Sequence, residues 1–356
     1  MILVAGIPSE TPLAMVYGHL RELGAPVVVF NQRQAAEAAI AFDLAGGEAS
    51  GWLRLNGCRH RLENFRGIYC RLMDDQVLPE LEKEPAASPR RLRVRTLHDT
   101  LSCWSELSAA RVVNRLAAVG SNGSKPYQLQ LIRAHGFAVP ETLITNEPER
   151  VLAFRARHRQ LVFKSMSGIR SIVRLLEDCD LDRLERIRWC PVQFQQFVAG
   201  TNMRVHTVGQ SVFATAIETR AIDYRYARRQ VGEAASLRAV ELPSELAERC
   251  VRLARALGLD FAGIDLKQTP EGEIYCFEVN PMPGFSYYEA HTGQPIAREV
   301  ARYLCEEVPA APIGSPISGP AVGRVRELGA RPRARPAGMA GRPRRRRSKP
   351  RGGQAG

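Results

Sequence analysis

No stretch of this sequence approaches the eighteen or so consecutive apolar residues that a membrane-spanning helix needs. The opening, Met1 to Val16, carries no basic residue ahead of its apolar run, so it does not read as a secretory signal. The eight cysteines (Cys58, Cys70, Cys103, Cys179, Cys190, Cys250, Cys276 and Cys305) are scattered, and no two stand at zinc-knuckle or redox spacing. Several fall in apolar patterns, so they are expected to be free thiols in a reducing cytoplasm. No G-x-x-x-x-G-K-[ST] string occurs, and Gly6 lacks the partners of a dinucleotide fingerprint. The histidines, His98, His135, His158 and His206 among them, lack metal-ligand spacing and read as structural. No Ser/His/Asp or Cys/His constellation stands out, so a protein nucleophile is not expected.

What is present is an ordinary globular composition of 356 residues, 45% hydrophobic and 24% charged, long enough for two or three domains. The net charge of +13 is unevenly placed. Residues 308–356 hold eleven Arg and one Lys against a single Glu, which leaves +2 on the preceding 307 residues. This Arg/Pro/Gly/Ala-rich tail has too few large apolar residues to offset ordering entropy and is expected to be disordered. Arg344 to Arg347 could meet nucleic acid or acidic partners through phosphates. No aromatic residue is interleaved to stack on bases, which favours a tail without that function. No membrane partner is expected, and oligomeric state is left open, a homo-oligomer included.

Residues 1–112 alternate strand, turn and helix signals: Ile2 to Ala5, a helix start at Ser9 to Pro12, Val27 to Phe30, and Gly67 to Arg71. A helix is expected over Arg90 to Ala110, with Leu92, Leu97, Leu101, Trp104 and Leu107 as its apolar stripe. The pattern predicts a small α/β domain with a mostly parallel sheet. Residues 113–307 open on a helix that Ser124 can cap and Pro126 can enter, stopped at Gly136. Strands follow at Gln160 to Lys164, Val192 to Val198, Met203 to Val208 and Val212 to Thr219. Next come a helix over Leu242 to Leu257, a hairpin of Ala262 to Gln268 with Glu273 to Asn280, and a last helix from Ile296 to Glu307.

The hairpin carries the strongest chemical signal. Residues two apart on a strand share a face, so Glu278 and Asn280 point the same way, and the turn at Pro270 to Gly272 brings Asp265 beside them. Three oxygen donors on one side of two strands suit a hard cation such as magnesium, with manganese as the alternative. Ile264, Leu266, Phe277 and Val279 are expected on the opposite, core face. Upstream, Lys164 ends a strand and precedes the small-residue turn Ser165 to Ser171, a place for a cation and backbone N–H groups to meet phosphate.

These segments, in this order, resemble the ATP-grasp superfamily, in its branch of RimK-like and glutathione-synthetase-like carboxylate–amine ligases. The resemblance runs over Val113 to Glu307, with residues 1–112 similar to the domain that precedes it in such enzymes. It implies a small N-terminal α/β domain, a two-subdomain ATP-grasp fold and ATP with Mg2+ as cofactors. The implied reaction is amide or peptide bond formation through an acyl phosphate, with ADP and phosphate released. Alternatives are an ATP-grasp kinase of a small acidic or hydroxylated molecule, or a non-catalytic ATP-binding protein. By the same resemblance, Lys125 and Lys164 are nucleotide lysines, and Ser167 and Gly168 belong to the phosphate loop. Gln195, Gln196, Phe197 and Val198 form the adenine hinge, and Asn202 stands where a ribose-binding acid is usual. Arg204 and Arg225 face the phosphates and the acyl intermediate, and Asp265, Glu278 and Asn280 hold the metal. Gln195 and Asn202 are amides where many relatives have carboxylates. Tyr287 and Tyr288, read as part of a loop after the triad, are candidate walls of a substrate pocket. A packed loop over the last helix is the competing reading. Arg220, Arg225, Arg228 and Arg229 form a basic patch, suited to an acidic substrate or simply solvated. The substrates are expected to be a small-molecule or peptide carboxylate and an amine.

Overall fold

A computed structural model describes residues 1–46, 48–165 and 172–307. The tail and the turn that contains Ser167 and Gly168 lie outside the described residues, so the expectations placed on them stay as they are. Among the described residues the first strands are β1 (Ile2–Gly6), β2 (Val27–Asn31), β3 (Ala39–Ala45), β4 (Glu48–Leu55), β5 (Cys58–Arg61), β6 (Gly67–Arg71) and β7 (Arg111–Val113). Strands β2-β1-β6-β7 form a wholly parallel sheet. Every residue of β1 is buried, as expected for a parallel strand covered on both faces. Leu3 and Ala5 enter one core with Phe30, Ile68 and Val112; Ile2 and Val4 enter another with Tyr69 and Val113.

The helix Pro89–Leu107 covers the first of these faces through Val94, Leu97, Leu101 and Trp104, and the Ser88 hydroxyl accepts from Arg91 N at its start. Leu92 and Leu107, expected on that stripe, are instead exposed, because the buried positions step by three and four from Val94. The second face is closed by the helices Thr11–Glu22 and Ile296–Cys305. The antiparallel sheet β3-β4-β5 was not anticipated from the sequence.

Strands β8 (Thr142–Thr145), β9 (Leu161–Ser165), β10 (Arg174–Leu175) and β11 (Val192–Gln196) form one antiparallel sheet, in the order β10-β9-β11-β8. Strands β12 (Thr201–Val208), β13 (Ser211–Glu218), β14 (Ser236–Val240), β15 (Phe261–Gln268) and β16 (Ile274–Asn280) form a second, in the order β14-β13-β12-β15-β16. The helix Ser244–Ala256 packs Leu246, Cys250 and Leu253 under the second sheet against Val205, Ile264 and Leu266. The helix Lys125–Ala134 adds Leu129 and Ile132 to that core. Ser124 occupies its N-cap position but makes no side-chain cap bond; Pro126 enters the first turn as expected.

Asn114, the residue after β7, ties the parallel sheet to the β15–β16 hairpin. Its Oδ1 accepts from the backbone N–H groups of Asp260 and Phe261 at 2.9 and 3.1 Å. Its Nδ2 donates to the carbonyl oxygens of Phe261 and Pro281, so one side chain joins the start of β15 to the segment leaving β16. Replacement by alanine strands several buried backbone groups at a cost of about 1–3 kcal/mol each where no water reaches them. Asn114→Ala is therefore expected to lose about 2–4 kcal/mol in urea unfolding; a loss below about 0.5 kcal/mol would show that the tie is dispensable.

Candidate active site

The sheets β10-β9-β11-β8 and β14-β13-β12-β15-β16 face each other across a cavity of about 510 Å³. On the first sheet, Lys164 of β9 stands directly opposite Gln193 of β11 in register, so both share the cavity face with Gln195, two residues on. Phe194 points the other way, into a core with Val151, Phe154 and Leu161. Gln195 donates to Thr142 Oγ1 at 3.0 Å. Gln193 Nε2 is buried without a hydrogen-bond partner among the described residues, an orphan donor aimed at a site that needs a ligand. Gln196, Phe197 and Val198 continue the wall, and Gly200 turns the chain into β12. Gly200 has φ +143°, and a Cβ there would overlap the Gln268 carbonyl, so glycine permits the close crossing.

On the second sheet, Asp265 pairs with Arg204 on one side and Glu278 on the other. Arg204 Nη1 donates to Asp265 Oδ1 at 2.7 Å, and Asn280 Nδ2 donates to Asp265 Oδ2 at 3.1 Å. Asp265, Glu278 and Asn280 thus converge: Glu278 lies directly across from Asp265, and Asn280, opposite Gly263, reaches Asp265 from two residues along the strand. A Cβ on Gly263 would overlap the Arg204 guanidinium and Pro283, so this glycine makes room for the arginine above β15. Arg204 is buried, which works against its charge, but the Asp265 carboxylate outweighs burial and keeps the group firmly protonated. Its Nε reaches His206 Nε2 at 3.4 Å. His206 is fully buried, and burial, then the Arg204 charge, pushes its pKa well down, in keeping with a structural neutral imidazole.

Phe277 departs from expectation. The register jumps between Asp265 and Leu266, where Leu266 pairs with Cys276 and Phe277 is the extra residue. This β-bulge sends Cys276 into the core and leaves Phe277 half-buried on the cavity wall.

Lys125 forms an ion pair with Glu278 from the first turn of its helix. Gln128, three residues on, fixes that helix to β16: its Nε2 donates to Val279 O at 2.8 Å and its Oε1 accepts from Val279 N at 3.0 Å. Burial, and then the Lys164 charge, lower Lys125 to about 8, while Asp265 pulls the other way. Lys164 is lowered by burial and then by Arg225. Arg225 is held by Asp223, whose Oδ1 accepts from Arg225 Nε at 2.8 Å and whose Oδ2 accepts from Nη2 at 2.6 Å.

Tyr288 lines the cavity and exchanges a 2.8 Å hydrogen bond with the Tyr224 hydroxyl. Both phenols are raised by burial. Tyr287 is 46% exposed and lies off the cavity wall. The pair belongs to a short helix, Ser286–Thr292, and not to a loop. Every other candidate for the nucleotide, metal and acyl-phosphate roles within the described residues lines this cavity, whereas Arg220, Arg228 and Arg229 of the basic patch do not. Gln128, Gln193, Asp223, Tyr224 and Lys267 were not singled out from the sequence. Gln193 and Lys267 share strand parity with Gln195 and Asp265, a signal that could have found them.

Among the described residues no group of three or more His, Cys, Asp or Glu side chains could cage a metal. Two carboxylates and an amide oxygen instead suit a magnesium ion that completes its shell with phosphate oxygens and water. Crowded cations with depressed pKa values and an orphan amide donor fit a polyphosphate in the same space.

A RimK-like ATP-grasp domain model matches residues 123–304, just over half of the chain. The chain belongs to the RimK-like ATP-grasp family. Within that family it is similar to a probable alpha-L-glutamate ligase of Chromohalobacter salexigens, 24% identical over 209 residues that span 56% of this chain and 68% of that one. It is also similar to the solved structure of the ATP-grasp ligase PsnB complexed with a phosphomimetic variant of its minimal precursor, Mg and ADP. There the identity is 29% and the TM-score 0.68, over 85% of this chain and 97% of that one. A RiPP-associated ATP-grasp ligase of Chryseobacterium gregarium, solved with ADP and a leader and core peptide, has a TM-score of 0.73 over 86% of this chain and 97% of that one. At 22% identity that likeness shows the fold alone. This RimK-like protein is an ATP-dependent carboxylate–amine ligase. No helix among the described residues is long and apolar enough to cross a membrane.

The depressed pKa of Lys125 gives binding a pH dependence. Free Lys125 loses its proton as pH rises through about 8, whereas a bound polyphosphate favours the charged form and raises its pKa. The complex then holds more protons than the free protein, so affinity falls as pH rises. ADP titrations between about pH 7 and 9 are expected to weaken above 8 with proton uptake on binding; a flat profile would contradict this placement of Lys125.

Proposed function

We propose that this ligase activates a peptide carboxylate and joins it to an amine, through an acyl phosphate held between the two antiparallel sheets. The supporting observation is the cavity itself: Lys125, Lys164, Arg204 and Arg225 gather around Asp265, Glu278 and Asn280 within one space. A peptide is favoured because PsnB was solved with a precursor, and the exposed Arg228 and Arg229, a few residues beyond the cavity-lining Arg225, would draw an acidic chain.

In this reading Gln195 to Val198 receive the adenine edge and Asn202 the ribose, accepting through its amide oxygen without adding charge. Lys125 and Lys164 clamp the polyphosphate, and Lys125 exchanges Glu278 for phosphate oxygens as the nucleotide enters. Asp265, Glu278 and Asn280 hold the metal, which when bound neutralises charge on the transferring phosphoryl group; manganese would fit the same oxygens. Arg204, braced by Asp265 and His206, presents its remaining donors to the acyl phosphate and to the oxyanion formed as the amine adds. Asp223 fixes the Arg225 fork for the same purpose. Tyr288 forms a wall beside the reacting carbon. Residues 1–112 form the preceding domain and 113–307 the catalytic one, and the eight free cysteines suit a reducing cytoplasm.

Incubation with ATP, magnesium and a pool of acidic peptides is expected to release phosphate only when a carboxylate and an amine are both present. Release independent of either would contradict ligation. Arg204→Met is expected to lower kcat by about 10²–10³-fold with little change in KM for ATP, since its contacts strengthen as charge develops; an unchanged kcat would remove Arg204 from the reaction.

A further inference from the structure

Lys267 is the cavity cation that the reading above leaves without a task. It lies two residues beyond Asp265 on β15, so it shares the cavity face about 6.6 Å further along the strand. Its ammonium donates to the Val198 carbonyl oxygen at 3.0 Å. It stands 5.5 Å from the centre of the Phe197 ring and 5.8 Å from that of Phe277. Lys125 and Arg204 each have a carboxylate. Lys267 has none among the described residues, and its neighbour across β12 is Asn202, a neutral amide.

Drawing an ammonium partly out of water costs free energy that one neutral carbonyl and two ring faces return only in part. A methionine would fill the same wall at no such cost. The bulge at Phe277 deepens the arrangement, since it places a second aromatic face beside the charge where a regular strand would have buried that ring. The group therefore fits a partner that arrives from outside. The phosphate end is already served by Lys125 and Lys164, beside Glu278 and Gln193, whereas Lys267 bonds the end of the Gln195 to Val198 wall.

We propose that Lys267 is a nucleoside-recognising residue, whose ammonium is satisfied by the π face and acceptor atoms of a purine nucleoside seated between the Phe197–Val198 wall and β15. This rests on the reading of the cavity as the ATP site and adds a specificity-determining residue to it. Asn202, directly opposite, completes the grip: an acid there would take Lys267 as its own ion-pair partner, and the amide leaves the cation to the ligand.

The test measures adenosine and ADP binding by calorimetry, with ligand-free melting, for the full chain and for Lys267→Met and Lys267→Arg. In Lys267→Met both ligands are expected to weaken at least fivefold, by the same factor. Its ligand-free melting temperature should be no lower than wild type, and Lys267→Arg should recover most of the affinity. A loss under fivefold, a loss confined to ADP, or a lower ligand-free melting temperature would each overturn the proposal. The last would mark Lys267 as a brace for the Val198 turn. If Lys267→Met does not fold, Lys267→Gln takes its place under the same criteria. Wild-type protein that binds neither ligand would instead overturn the ATP-site reading, a different outcome from wild-type binding that the substitution leaves intact.

Discussion

The site depends on one cross-strand pairing, Asp265 opposite Glu278, which stands on the far side of the β-bulge from the turn that joins β15 and β16. Two adjacent carboxylates repel each other unless cations or a metal separate them. Arg204 takes one and Lys125 the other, and each cation is fixed from behind, Arg204 by His206 and the helix of Lys125 by Gln128. The two carboxylates are therefore matched by cations before any ligand arrives, while the cavity as a whole keeps five cations against three carboxylates, a surplus suited to a polyphosphate. That preorganisation is what makes a low-dielectric site effective for phosphoryl transfer.

The same hairpin also explains why the parallel sheet matters to the chemistry. Asn114 ties β15 to the segment that follows Asn280, and Arg71 at the end of β6, itself held by Glu10, donates to Pro283 O at 3.3 Å. Met282, Pro283 and Gly284 line the cavity. The first α/β part thereby stiffens the edge of the site and contributes no candidate side chain to its chemistry.

Much of this was legible in the sequence because strand parity is a strict rule. Asp265, Glu278 and Asn280 share a face by period two, and Lys164 ends an apolar run that had to be a strand. Parity failed at Phe277, where a bulge inserts one residue, and no local signal announces a bulge without its partner strand. The stripe over Pro89–Leu107 was found, but its ends, Leu92 and Leu107, were misplaced because three-to-five spacing is looser than the helical period. Gln128 and Asn114 were invisible for another reason: each bonds backbone 150 or so residues away, and polar side chains that serve distant backbone look like surface residues in one dimension. The identities of Arg204 and Arg225 as site residues came from resemblance; spacing alone would not have separated them from the chain's many other arginines.

Ligation through an acyl phosphate requires the substrate carboxylate to attack the γ-phosphate and give up one oxygen to it. Turnover of a peptide substrate labelled with ¹⁸O in its carboxylates, followed by mass analysis of the released phosphate, tests this most directly. One ¹⁸O is expected in each phosphate released. Unlabelled phosphate alongside product formation would contradict it.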